Sequence, residues 1–154
     1  MQTESSFSVV RIEERSRHLL DGLDRLHREF FQGSPVPPEQ FMEFVAARLG
    51  DERMLLVVGL AEEQPAGYGL SFDVVEHPFM PEWQRSGYVT QLYVAPERRG
   101  QGLGQMLVDH TLEWMRLRGI RRAQLNVLAG EDGAEGYWRR HGFEPRRIRM
   151  ELQL

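Results

Sequence analysis

The segment APERRGQGLGQML, residues 95–107, constrains this chain most. It sets Gly100, Gly102 and Gly104 at alternate positions between the β-branched run YVTQLYV at 88–94 and a stretch with helical spacing. In that stretch Leu103, Met106, Leu107, His110, Trp114 and Leu117 line one face from about residue 102 to 117. A strand must therefore pass into a helix through a turn with several side-chain-free positions. Glycine admits unusual dihedrals and lets a bulky group approach its N–H closely. A helix start adds unpaired N–H donors and the positive end of the dipole. Together these make an anion site, with phosphate as its natural occupant.

The flanking sequence supplies a sheet. FSVVRIE at 7–13 reads as a strand, and 15–31 places Leu19, Leu20, Leu23, Leu26, His27 and Phe30 on one helical face. QGSPVPP ends that helix, and a second over about 38–49 turns Phe41, Met42, Val45 and Leu49 inward. RMLLVVGLA and GYGLSFDVV are strands joined by EEQPAG, where Pro65 and Gly67 mark a hairpin connection. After the loop HPFMPEWQRSG, the strand 88–94 and the glycine turn with its helix come RAQLNVLA as a strand and GAEGYWRRH as a short helix stopped by Gly142. RRIRMELQL closes the chain as a strand with Ile148, Met150, Leu152 and Leu154 alternating inward. The expected fold is one domain over residues 1–154, a mixed sheet with helices packed on it.

Composition removes several chemistries. The sequence has no cysteine, so disulfides, thiolate metal sites and a cysteine nucleophile are excluded. All 19 basic residues are arginine, which excludes a Gly-Lys-Ser/Thr phosphate loop and a Schiff-base lysine. His18, His27, His77, His110 and His141 show no metal-ligand spacing, so no metal is expected. A net charge of −4 gives no general pull toward nucleic acid or an anionic membrane. The amino-terminal stretch has no basic segment leading into a long apolar one, and a cytoplasmic protein is the simplest reading.

The glycines do not match the dinucleotide fingerprint G-x-G-x-x-G, because the spacing here is G-x-G-x-G. Arg99, Gly102 and Gly104 instead match Q/R-x-x-G-x-G/A, the lead-in LYVAPERRG runs hydrophobic-Val-x-Pro, and AEGYWRRHGF follows at a distance. In these motifs, and in the order of its elements, the chain resembles the GNAT superfamily of N-acetyltransferases. The resemblance implies an α/β (α+β) class, with a mixed, mostly antiparallel sheet and helices on both faces. It also implies acetyl-CoA as co-substrate and a primary amine of a small molecule or peptide as acceptor, attacked directly in a ternary complex.

By the same resemblance, the pyrophosphate lies against the backbone of Arg99, Gly100, Gln101, Gly102, Leu103 and Gly104. The pantetheine arm runs beside a bulged strand at Leu92, Tyr93 and Val94, where one N–H faces the thioester carbonyl. The family's strand glutamate is missing: Thr90 stands in its place, followed by Gln91. Glu76, with Asp73 and His77 beside it, is the substitute candidate for the proton acceptor that an amine of pKa about 10.4 requires. Counting back four from Gly142, the family's tyrosine position holds Trp138, which suits packing along the pantetheine. Tyr137, one residue away, is the candidate general acid, although a thiol leaving group needs less help than an alkoxide. Arg139 and Arg140 are within reach of cofactor phosphates or form an exposed helix face. His110 and Trp114 fit a core or a homodimer contact, and Glu76, Phe79, Glu82 and Trp83 would suit a cationic acceptor. A non-catalytic acyl-CoA sensor and a transferase of another acyl group remain open as alternatives.

Overall fold

The computed structural model describes residues 6–76, 79, 85–130 and 133–154. Five strands, β1 (Phe7–Arg11), β2 (Met54–Ala61), β3 (Gln64–Val74), β4 (Ser86–Val94) and β5 (Ala123–Gln124), lie in sequence order in one sheet. The first four are antiparallel neighbours, and β5 pairs with β4 in parallel. Helices α1 (Leu20–Phe30) and α2 (Pro38–Ala47) precede β2, α3 (Leu103–Leu117) crosses from β4 to β5, and α4 (Ala134–Arg140) follows β5.

Strand β2 explains why the sheet is covered on both faces. Its sequence MLLVVGLA is apolar throughout, as burial on two sides demands. Met54, Leu56 and Val58 join Leu23 and Leu26 of α1 and Phe41 and Val45 of α2 in one core. Leu55, Val57 and Ala61 point the other way, to Leu103, Leu107, Trp114 and Met115 of α3. No helix among the described residues is long and apolar enough to cross a membrane.

Several sequence expectations need correction. Residues 15–31 are not one helix: Glu14–Leu19 form a 3-10 helix before α1. The β2–β3 turn is made by Glu62 and Glu63, both at positive φ, while Pro65 lies within β3. Two successive left-handed residues give the turn whose twist suits a tight hairpin, whatever its side chains. The strand expected over 122–129 contracts to two residues, because only Ala123 and Gln124 pair with β4. Residues 146–154 form no strand, and Ile148, Met150, Leu152 and Leu154 point outward, at 91, 89, 82 and 114% exposure. His110 is exposed while Trp114 is buried, so only the latter belongs to the core.

Candidate active site

Strand β4 organises the site because both of its edges are irregular. On the β5 side, pairing stops at Tyr88 with Gln124, and Asn126 donates to the Tyr88 hydroxyl at 2.7 Å. From Val89 to Val94 that edge has no strand neighbour among the described residues. On the β3 side the register slips, since Leu70 faces Gln91 and Ser71 faces Val89. Thr90 is therefore the extra residue of a bulge, two positions before the stretch expected to carry it. Bulges re-aim side chains, and here the consecutive Thr90 and Gln91 both line one cavity.

The open edge ends at the glycine turn. Gly100 and Gly102 have φ of 70° and 96°, left-handed conformations that favour glycine, and Gly102 is the N-cap of α3. No side chain caps this helix start, and Met106 N–H is the donor that bonds the Gly102 carbonyl. The N–H groups before it have no intrahelical acceptor. Arg99 is held by its Nε bond to the Val94 carbonyl at 2.8 Å, and Gln101 by a bond to the Glu97 carbonyl at 3.0 Å. The expected loop residues thus stand together, with Leu92 and Val94 toward α3 and Tyr93 toward α1.

The two aromatics of α4 separate. Tyr137 reaches the first turn of α3, its hydroxyl 2.8 Å from where a Cβ on Gly104 would stand. Burial raises its hydroxyl pKa, against a lowering by Arg140, so it is a neutral donor near pH 7. Trp138 instead lines an apolar crevice between α3 and β4 with Val89, Leu92, Val108 and Phe143. Gly142, at φ 87°, ends the helix as a left-handed C-terminal residue. Arg139 pairs with Glu135 at 2.7 Å, and Arg140 lies 5.9 Å from the centre of the Tyr137 ring.

The acidic candidates lie elsewhere. Glu76 accepts from Gln124 Nε2 at 2.9 Å and pairs with Arg122 at 3.5 Å, beside Ser86 at the start of β4. Eight residues of strand, roughly 25 Å, separate Ser86 from the glycine turn. Glu76 is not brought to the loop. Asp73 is buried and held by Arg85 at 2.6 Å and Arg118 at 2.9 Å, and those bonds lower its pKa to about 2. His77, Glu82 and Trp83 lie outside the described residues, and Phe79 is exposed.

The cavity beside Thr90 has a volume of about 630 Å³ and lies between the α1–α2 helices and strands β3 and β4. Phe31, Phe41, Phe44 and Phe72 form much of its wall. A buried polar chain reaches it that the sequence did not disclose. His27 Nδ1 is 3.0 Å from the Tyr68 hydroxyl, which donates to Gln91 Oε1 at 2.8 Å. Since that hydroxyl spends its one proton on Gln91, His27 Nδ1 carries the hydrogen and Nε2 the lone pair. Desolvation depresses the His27 pKa, outweighing a bond with Gln91 and the charge of Asp24, which raise it. In the sequence this histidine is one member of an apolar helical stripe, and only its stacking on Phe41 at 3.7 Å and its partner Tyr68 distinguish it.

Among the described residues no group of three His, Asp or Glu side chains is arranged to hold a metal. The sequence model of the Acetyltransferase (GNAT) family matches residues 20–143. Glucosamine 6-phosphate N-acetyltransferase 1 of Oryza sativa subsp. japonica is 30% identical over 128 residues, 79% of this chain and 74% of the relative. A putative [ribosomal protein bS18]-alanine N-acetyltransferase of Bacillus subtilis is 33% identical over 61 residues, 40% of each chain. The chain thus spans well under two thirds of some curated relatives it matches. Among solved structures, the aminoglycoside N-acetyltransferase AAC(6')-Iy in complex with CoA superposes with a TM-score of 0.84 at 13% identity, over 99% of this chain and 98% of the other.

Proposed function

The chain belongs to the acetyltransferase (GNAT) family, whose members are acetyl-CoA-dependent transferases, and we propose that it transfers the acetyl group of acetyl-CoA to a primary amine. The observation that carries this reading is the unpaired edge of β4 leading into the uncapped start of α3. A strand edge offers amides to an elongated arm that itself contains amides, and the helix start offers N–H donors to a pyrophosphate. The missing side chain at Gly104 leaves room there for the Tyr137 hydroxyl. Acetyl-CoA, when bound, supplies an activated thioester.

The chain's own groups then have separable tasks. Arg99 to Gly104 hold the phosphates through backbone N–H groups, and the backbone of Leu92, Tyr93 and Val94 guides the arm. The Tyr137 hydroxyl contacts that arm near Val94, and Trp138 fixes α4 from behind through its apolar crevice. The cavity beside Thr90 receives the acceptor amine. His27 Nε2 takes the amine proton, directly or through water, because a neutral imidazole is a competent base near pH 7. Gln91 and Tyr68 orient that ring. Glu76, which sits at the other end of β4, has no part in this scheme.

The aromatic wall favours an acceptor with an apolar or stacking body around its amine, of small-molecule or peptide size. Release of free CoA thiol across a panel of such amines tests the proposal. Release that requires both substrates and saturates in each supports it, and acetyl-CoA binding without release to any amine would favour a sensor.

A further inference from the structure

The cavity between α1, α2 and strands β3 and β4 has one formally charged side chain among its described lining residues, Arg28. Four phenylalanines supply much of its wall, and no aspartate or glutamate among the described residues lines it. Asp24, one turn back along α1, accepts from Arg28 Nε at 2.8 Å and so fixes the side chain. Glu39 stands 3.6 Å from Arg28 Nη2, beyond hydrogen-bond length, and its side chain is 64% exposed. Apart from that loose contact, the outer fork of Nη1 and Nη2 has no partner among the described residues.

A guanidinium whose two terminal nitrogens are open takes a carboxylate through two parallel hydrogen bonds. Arg28 directly follows His27 on α1, so the two side chains leave the helix about 100° apart, and both line the cavity. A base and a carboxylate receptor at adjacent positions suit an acceptor that carries its amine and its carboxylate on one carbon. The rings suit the rest of such a molecule. Phe41 stacks on the His27 imidazole at 3.7 Å and Phe44 meets Phe72 edge to face at 5.9 Å, leaving aromatic surface for a planar body. Arg48, 4.0 Å from the centre of the Phe44 ring, adds a second positive charge beside that wall. Asp24 and Glu39 offset these two charges, so the open fork, and not net charge, selects the carboxylate.

We infer that the acceptor is an aromatic α-amino acid, with its carboxylate on the Arg28 fork, its amine at His27 and its ring against the phenylalanine wall. This rests on the assignment of the cavity to the acceptor and names the class of molecule that enters it. Glu39 is the internal competitor that the substrate carboxylate displaces from Nη2. The amine nitrogen, once neutral, bonds to the acetyl carbon as the carbon–sulfur bond breaks. The proton that nitrogen sheds ends on the departing thiolate, giving an N-acetyl amino acid and CoA thiol. An amine without the carboxylate leaves the fork unpaired, and a polycationic amine meets Arg28 with no carboxylate on the described wall to receive it.

Phenylalanine, phenethylamine and phenylalaninamide share a ring and an amine and differ in the carboxylate, so rates of CoA thiol release with each read the contact. With rates referred to the neutral amine, wild-type kcat/KM for phenylalanine is expected to exceed that for the other two by about tenfold or more. Arg28→Gln should bring the ratio to within about threefold of one, chiefly through KM for phenylalanine, and Glu39→Gln should raise it. A damaged fold or base lowers all three rates together and leaves the ratio unchanged. The wild-type comparison needs no variant at all. Equal or faster turnover of phenethylamine or phenylalaninamide by wild type would overturn the inference and leave the acceptor cavity in place. So would an Arg28→Gln ratio equal to that of wild type, or faster turnover of glucosamine 6-phosphate or a polyamine than of phenylalanine. Acetyl-CoA binding with no release to any of these amines would instead overturn the transferase reading, and the inference with it.

Discussion

The phenolic oxygen of Tyr137 stands over the first turn of α3, 2.8 Å from the point a β-carbon on Gly104 would occupy. This approach ties α4 to the glycine turn and leaves little room for a side chain at that point. A Cβ there would press on the hydroxyl and on the passage beside Val94. We expect Gly104→Val, and Gly102→Val at its φ of 96°, to weaken acetyl-CoA binding by about tenfold or more. Calorimetry on folded variants measures this, and unchanged affinity would remove the glycine turn from the cofactor site.

The same geometry separates two roles for Tyr137. Its hydroxyl lies near Val94, whereas the bulge at Thr90 is four residues back along β4, roughly 13 Å. Tyr137→Phe should therefore raise KM for acetyl-CoA while kcat stays within about tenfold of wild type. A kcat loss above about a hundredfold at constant KM would instead make Tyr137 the general acid.

His27→Asn should lower kcat by about a hundredfold or more, the usual worth of a positioned base. Burial depresses the His27 pKa, so the base is active above its folded-state pKa, which lies below the ordinary imidazole value. In wild type the acid limb of kcat/KM should accordingly lie below about pH 6.5. The limb should disappear in the variant, and a limb left in place would assign it to another group.

The strand–turn–helix unit at 88–117 and the double coverage of β2 were legible in the sequence because periodicity and glycine spacing act locally. The bulge at Thr90 was not, since a register slip is decided by how Ser71 and Val89 pair across strands. Nor was His27, whose identity as a polar residue in a buried chain depends on Tyr68, 41 positions away. The carboxy-terminal alternation has the period of a strand, but residues 146–154 form none and their apolar side chains point outward, because no neighbouring strand pairs with them among the described residues. Glu76 looked suitable through proximity in sequence to a strand end, and the sheet places that end far from the glycine turn.

Asp73 is expected to matter for stability and not for turnover. Its bonds to Arg85 and Arg118 lower its pKa from 3.8 to about 2. A depressed carboxyl contributes stability that is complete above the unfolded value and is lost as pH falls toward the folded one. Asp73→Asn should lower stability at pH 7 by on the order of 2 kcal/mol, measured by urea unfolding. The difference from wild type should shrink between about pH 4 and pH 2, and a constant difference would show that the ion pairs are not its source.

No acetyl-enzyme is required, because the chain has no cysteine and an amine is an adequate nucleophile once neutral. Exposure to acetyl-CoA alone should leave the intact mass unchanged, and the absence of lysine keeps that reading free of lysine acetylation. A stoichiometric adduct that then passes to an amine would contradict direct transfer.

Initial rates of CoA thiol release, with acetyl-CoA and a primary amine varied together, report on acetyl transfer itself. Release is expected to need both substrates, with intersecting double-reciprocal lines and an acetylated amine as the second product. Saturable acetyl-CoA binding with no release across amines that fit the 630 Å³ cavity would contradict it.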